Sequence, residues 1–259
     1  MRIPIYQVDA FASRLFEGNP AAVCPLESWL PDDILVAIAA ENNLSETAFL
    51  AGGDGRYALR WFTPTTEVDL CGHATLAAAY VVFRFLEPGL DAVRFDTRSG
   101  ELTVRRRDQW LEMDFPSRAP ARAEPPPGLV EALGRSPREV WKARDFMAVY
   151  DCEDEVRELA PDLVALSRVE MFAVIVTAPG SDSDFVSRFF APAAGVPEDP
   201  VTGSAHCTLA PYWASRLGKS VLRARQLSRR GGEILCEVRG DRVALRGQAV
   251  LYLEGHIWV

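Results

Sequence analysis

Apolar and polar residues alternate along several short segments of this chain. In two places they give way to helices of different character. The first thirteen residues, MRIPIYQVDAFAS, alternate in strand fashion, as do 57–62 (YALRWF), 93–97, 101–106, 242–246 and 249–254. Ser99-Gly100 supplies a hairpin turn between 93–97 and 101–106. Pro31-Asp32-Asp33, followed by Ile34, Leu35 and Ile38, predicts an amphipathic helix with its acids at the positive end of the dipole. Residues 74–86 (ATLAAAYVVFRFL) are apolar on every side except Thr75 and Arg84. A helix without a polar face must be surrounded by protein. A further helix, from about Ala205 to Leu217, ends at Gly218, and Pro211 is expected to kink or shorten it.

The chain also repeats itself. GHATLAAAY at 72–80 resembles GSAHCTLAPY at 203–212, and each follows an aromatic-x-Pro signature, Phe62-Thr63-Pro64 and Phe190-Ala191-Pro192. Further on, Arg98-Ser99-Gly100-Glu101-Leu102 matches Arg230-Gly231-Gly232-Glu233-Ile234 at nearly the same offset, about half the chain. Self-similarity of this kind implies two homologous halves, expected to face each other across a cleft. Residues 116–128, PSRAPARAEPPPG, carry five prolines and no apolar period, so they read as the linker. The expected halves are 1–117 and 118–248. The fold class that follows is α+β: two pseudo-symmetric halves, each a mostly antiparallel sheet rolled around one central helix.

Composition narrows the functional classes. The chain has 259 residues, 48% hydrophobic, with a formal charge of −8 and no basic tract longer than Arg105-Arg106-Arg107. Nucleic acid and anionic membranes are therefore not expected as partners. No apolar run reaches the ~18 residues of a membrane span, and the N-terminus lacks the continuous apolar stretch of a signal peptide. The five cysteines (Cys24, Cys71, Cys152, Cys207, Cys236) are scattered without a C-x-x-C pair, so a reduced, cytoplasmic setting is expected. His73, His206 and His256 share no metal-ligand spacing, and no metal is expected. Neither G-x-G-x-x-G nor G-x-x-x-x-G-K-[ST] occurs, which speaks against nucleotide enzymes.

Candidate chemistry concentrates at the two glycine turns. Cys71-Gly72-His73-Ala74 opens the buried helix, where unpaired backbone N–H groups and the helix dipole favour an anion such as a substrate carboxylate. Thr202-Gly203-Ser204-Ala205 builds the same device in the second half. Glu46 lies in Asn42-Asn43-Leu44-Ser45-Glu46-Thr47-Ala48-Phe49-Leu50; as a strand, Leu44, Glu46, Ala48 and Leu50 share one face. If that face points inward, desolvation raises the carboxylate's pKa and suits it to take and return a proton. An edge strand would instead leave Glu46 in water, and pattern alone does not choose. Glu198-Asp199-Pro200 places acids directly before the second turn, where an acceptor for a substrate hydroxyl or amine would account for them. Glu17-Gly18-Asn19-Pro20 is another turn, with a polar side chain near a strand end.

Taken together, Val8-Asp9-Ala10-Phe11, Gly18-Asn19-Pro20-Ala21-Ala22-Val23, Leu44-Ser45-Glu46-Thr47-Ala48-Phe49, Cys71-Gly72-His73-Ala74-Thr75 and Glu198-Asp199-Pro200-Val201-Thr202-Gly203-Ser204-Ala205 resemble the PhzF-like family, named for the phenazine-biosynthesis isomerase. The resemblance runs in order from residue 8 to Gly247-Gln248-Ala249. It implies a diaminopimelate-epimerase-like fold in which the terminal strand, 249–259, can cross back to the first half. It also implies cofactor-free proton relocation on a small carboxylate. The family's acid/base glutamate falls on Glu46, with His73, Asp199 and Ser204 as partners, Gly72 and Gly203 as backbone donors and Asn19 as a binding residue. A homodimer is suggested by the resemblance alone. Two other readings stand beside the isomerase. Racemases of this fold use a cysteine before each glycine turn; this chain has Cys71 at one and Thr202 at the other. A catalytically silent protein that binds a small carboxylate is the third.

Overall fold

The computed structural model describes residues 1–259, which divide into two compact units: Met1–Asp114 with Arg246–Val259, and Phe115–Leu245. In chain order the first holds β1 (Arg2–Ala10), β2 (Asn19–Pro25), α1 (Asp32–Asn42), β3 (Glu46–Gly53), β4 (Arg56–Phe62), the short β5 (Glu67–Val68), α2 (Gly72–Val81), β6 (Ala92–Thr97) and β7 (Gly100–Arg107), and β8 (Trp110–Pro116) leads out of it. The second holds β9 (Ala121–Arg122), α3 (Leu129–Leu133), β10 (Glu139–Lys142), β11 (Phe146–Val149), α4 (Glu153–Glu158), α5 (Leu163–Leu166), β12 (Val174–Pro179), β13 (Phe185–Phe190), α6 (Gly203–Leu217), β14 (Val221–Gln226) and β15 (Gly232–Arg239). After β16 (Arg242–Gly247), β17 (Ala249–Trp258) pairs antiparallel with β1 along its whole length, with one bulge at Gln7/Val8. None of the helices is long and apolar enough to cross a membrane.

The fold is α+β, and the repeat seen in the sequence is written again in the strand pairing. From β1 through β7 the first unit alternates: β1–β2 antiparallel, β2–β3 parallel, β3–β4 antiparallel, β4–β6 parallel, β6–β7 antiparallel. From β10 through β15 the second unit follows the same order, antiparallel, parallel, antiparallel, parallel, antiparallel. Registers make the equivalence residue-specific. Thr47 faces Phe62 across β3–β4, and Val174 faces Phe190 across β12–β13. Because Phe62 and Phe190 head the matching aromatic-x-Pro signatures, Thr47 corresponds to Val174 and Glu46 to Ala173.

Each sheet wraps one helix. In the first unit α2 packs against β1, β2, β3 and β17, and all its residues from His73 to Val81 except Tyr80 are buried. That all-round burial is what a helix without a polar face requires. Gly247 belongs to this packing, since a Cβ there would lie 2.3 Å from Phe11 Cδ1 and 2.9 Å from Leu76 Cδ1. On the sheet's other side, Leu35, Ile38 and Ala39 of α1 pack on Ile5, Cys24, Phe49 and Phe62. The second unit has its own core, including Leu129, Ala148, Val156, Leu166, Val174, Val176 and Phe190. Its helix α6 rests on β14 and β15, and Trp213 Nε1 donates to Thr177 Oγ1 of β12 at 3.0 Å.

Four expectations need correction. The apolar run 74–86 is not one α-helix: α2 starts at Gly72 and passes at Val82–Leu86 into a π-helical turn, closed by Glu87 N–H on Val82 O at 2.8 Å. Pro211 does not shorten α6, which runs through it for 15 residues. Proline at 211 offers no N–H to the Cys207 carbonyl four residues back, and the Arg118 backbone N–H takes that acceptor instead at 2.9 Å. Residues 116–128 are more than a linker, because Ala121–Arg122 pairs with Trp141–Lys142 and Ala123 N–H bonds Val140 O. Finally, Thr47 to Leu50 are buried on both faces, since β3 is covered by α1 on one side and α2 on the other. Simple in–out alternation therefore does not operate there.

Candidate active site

Glu46 is the first residue of β3, so its position is set by how α1 ends. Asn43 caps that helix in the left-handed conformation (φ 49°), its N–H on Ala39 O, and the chain turns through Leu44-Ser45 into the strand. The expected strand 44–50 thus begins two residues late. Asn42 Nδ2 donates to Thr47 Oγ1 at 3.1 Å and ties the turn to the strand. In β3 Phe49 belongs to the α1 side, which leaves Glu46, two residues from Ala48, on the α2 side.

His73 comes to meet it from the first turn of α2. Its Nε2 lies 3.2 Å from Glu46 Oε2; the histidine is 6% exposed and the Glu46 side chain 19%. Cys71 is the N-cap residue, in extended conformation (φ −141°, ψ 108°), with its carbonyl accepting from both the N–H and the Oγ1 of Thr75. Its Sγ stands 3.4 Å from His73 Nδ1 and 4.0 Å from Nε2. A thiol in line with the Nδ1 lone pair would be much farther from Nε2 than from Nδ1, so Cys71 approaches the imidazole from the side. Burial drives the His73 pKa down to about 3. The ring is neutral at physiological pH, with one nitrogen a donor and the other an acceptor. On this side Glu46 is therefore neighboured by a dipole rather than a cation.

Asn19 opens β2 and is fully buried. In the parallel β2–β3 register Ala21 is opposite Glu46, and Asn19, two residues before Ala21, shares its face. Gly18 makes the entry feasible: its φ is +68°, and a Cβ there would be 2.2 Å from the Ala10 carbonyl oxygen.

In the second unit, the turn 199–204 is held by a residue the sequence reading passed over. Gln226, at the end of β14 and 1% exposed, accepts from Thr202 N–H at 2.9 Å through Oε1. Its Nε2 donates to Asp199 O at 2.8 Å and reaches Thr202 Oγ1 at 3.1 Å. The signal was available: Leu222, Ala224 and Gln226 occupy the inward positions of β14, and an inward glutamine must satisfy its amide. The Thr202 hydroxyl donates to Asp199 Oδ2. Glu198 is engaged by Arg188 in a two-pronged ion pair at 2.7 and 3.1 Å, which makes it structural. Gly203 and Ser204 form the first turn of α6, Gly203 buried and Ser204 partly exposed. His206 is fully buried; its Nδ1 donates to Thr202 O at 2.8 Å, and burial lowers its pKa to about 4.

The family described as phenazine biosynthesis-like protein, PhzC-PhzF, matches residues 8–255. The chain belongs to that family. An uncharacterized isomerase of Pseudomonas aeruginosa is 56% identical over 255 residues, 98% of each chain. A crystal structure of a PhzF-family phenazine biosynthesis protein from Enterococcus faecalis superposes with a TM-score of 0.97 at 46% identity, over 100% of both chains. A hydroxyproline epimerase from Agrobacterium vitis shares the fold alone, with a TM-score of 0.60 at 12% identity over 99% of this chain and 92% of that one. With curated relatives of this family named as isomerases, the protein is a PhzF-like isomerase.

Proposed function

We propose that this PhzF-like isomerase relocates a proton on a small carboxylate substrate without a cofactor, with Glu46 as the acid/base group. The observation that carries the reading is the 3.2 Å approach of His73 Nε2 to Glu46 Oε2 at the N-terminus of α2. In this reading Glu46 takes a proton from an activated carbon and returns it elsewhere on the same face of the substrate. Neutral His73, donating through Nε2–H, orients the carboxylate and lessens the cost of its charged form. The free N–H groups opening α2, beginning at Gly72, are proposed to bind the substrate's own carboxylate, and Asn19 to contact it from the Glu46 face of β2. By the internal repeat, Gly203 and Ser204 are proposed as further binding groups and Asp199 as a catalytic partner.

A second reading has an observation of its own. Cys71 Sγ lies beside the same imidazole, so a thiol-based racemase would use Cys71. Incubating small aromatic and amino-acid carboxylates with the protein in D₂O, and following carbon-bound protons by NMR, separates the two. Exchange abolished by Glu46→Gln and kept by Cys71→Ala supports the carboxylate. The reverse pattern overturns it.

A further inference from the structure

Glu46, Cys71 and His73 bring three different donors to one place. A carboxylate oxygen, a thiol sulfur and an imidazole nitrogen all lie within 4.8 Å of one another. We propose that these three side chains form a reversible inhibitory site for a borderline-soft divalent cation, zinc being the ion of matching chemistry.

Distances favour this. Zinc binds sulfur at ~2.3 Å, imidazole nitrogen at ~2.0–2.1 Å and carboxylate oxygen at ~2.0–2.2 Å, so one ion spans two such ligands up to roughly 4.4 Å apart. Oε2 and Nε2 are 3.2 Å apart, and Sγ and Nε2 are 4.0 Å apart. The side-on thiol means that the imidazole turns about its Cβ–Cγ bond to aim Nε2 at the ion. Three protein ligands leave a fourth position for water, the arrangement of an open site. A set of sulfur, nitrogen and oxygen favours zinc over magnesium or calcium, which prefer oxygen alone. The histidines lack metal spacing in sequence because two ligands come from the start of α2 and the third from β3, so the set exists only in the folded chain.

Occupation requires Cys71 to lose its proton and the His73 ring proton to move from Nε2 to Nδ1, and it ties up a lone pair of Glu46. Inhibition rests on the proposed role of Glu46 as proton carrier, whereas binding does not. The test is titration of the wild-type protein with zinc chloride by calorimetry and with cobalt(II) by absorption. Cys152→Ser serves as a parallel background, because Cys152 is the exposed thiol. One zinc per chain is expected, with a cobalt–thiolate band in the wild type and in Cys152→Ser. Cys71→Ser should abolish that band, and His73→Gln and Glu46→Gln should each weaken zinc by at least the ~10–100-fold that loss of an outer-shell partner costs. Magnesium should not compete. Absence of a thiolate band in the wild type or in Cys152→Ser, or zinc affinity undiminished in all three variants, overturns the proposal. The Cys152→Ser band keeps it open to refutation even if a ligand variant misfolds. Zinc binding with exchange activity that survives Glu46→Gln would defeat the functional reading alone. Loss of activity in Glu46→Gln without any zinc binding would defeat the metal site alone.

Discussion

The two glycine turns are the same scaffold carrying different chemistry. Gly72 and Gly203 both open a helix enclosed by its own sheet, and the strands before and after them pair in the same order. At the first turn the neighbouring positions hold Cys71 and His73, with Glu46 opposite; at the second they hold Thr202 and Ser204, and Ala173 stands where Glu46 would be. Ala173 is fully buried in the second unit. Duplication thus accounts for the helix N-termini and the sheets, while the carboxylate, imidazole and thiol of Glu46, His73 and Cys71 come together in one copy only. In the second copy polar atoms are spent on holding a turn, through Gln226, Thr202 and Asp199. A racemase working with matched groups needs symmetry at this point, and the chain does not have it.

The largest expected effect tests that asymmetry directly. Glu46→Gln keeps shape and hydrogen bonding but removes the base, and general acid–base catalysis is worth ~10²–10⁴-fold, so turnover should fall by that factor. Cys71→Ala should reduce it by less than about tenfold, since it deletes a small side chain beside the ring and leaves the carboxylate in place. Steady-state rates on whichever carboxylate shows exchange provide the measurement. Equal losses in the two variants would show that both groups carry protons.

Next in size is the response to acid, where the two helices should behave alike. His73 and His206 are buried with pKa values lowered to about 3 and about 4 from 6.5. In the unfolded chain both take protons as pH drops below 6.5, while in the native state they do not. Stability should therefore be full above pH 6.5 and fall through the window down to about 4 for His206 and about 3 for His73, at up to ~1.4 kcal/mol per pH unit per group. His206→Phe, packed beside Phe185, removes one titrating group. Urea midpoints measured across that pH range should then show a shallower slope, whatever the change at neutral pH. An unchanged slope would mean that His206 is protonated in the native state.

The third test concerns the scaffold that only the second turn possesses. Gln226→Ala leaves Thr202 N–H and Asp199 O without their buried partner, and such losses cost ~1–3 kcal/mol. A lowered melting temperature with loss of activity is expected. Gln226→Glu should recover less than full stability, because its carboxylate can accept from Thr202 N–H but cannot donate to Asp199 O.

Much of this was readable from residue order. The α+β class, the repeat, the enclosed helices and the pairing of 93–97 with 101–106 all follow from period, turn residues and self-similarity. Glu46 was legible as a candidate but not as an inward residue. Its strand is buried on both faces, so alternation carried no information there, and only the register with Ala21 and the approach of His73 decide its face. Gln226 and Arg188 were missed for a related reason. Each acts through partners more than five residues away, Thr202 and Glu198, and local pattern cannot show such pairs. That Pro211 leaves the length of α6 intact is not legible locally, because the residue that takes the freed carbonyl, Arg118, lies far off in sequence.

That last pair supplies the smallest predicted effect. Proline inside a helix costs about 3 kcal/mol relative to alanine, partly through the unmet carbonyl four residues earlier. In α6 that carbonyl, on Cys207, already accepts from Arg118 N–H at 2.9 Å. Pro211→Ala would introduce a second donor competing for an occupied acceptor, and it would also loosen the unfolded chain. The gain should therefore stay well below the ~3 kcal/mol of an isolated helix, visible as a shift of a few degrees at most. Helix α2, which has no interior proline, gives the control: Ala78→Pro, in its buried middle, removes a bond that nothing is positioned to replace and should unfold the protein near ambient temperature. If Pro211→Ala instead stabilises by the full amount, the Arg118 contact is not compensating the proline. The continuity of α6 would then rest on its packing against β14 and β15 alone.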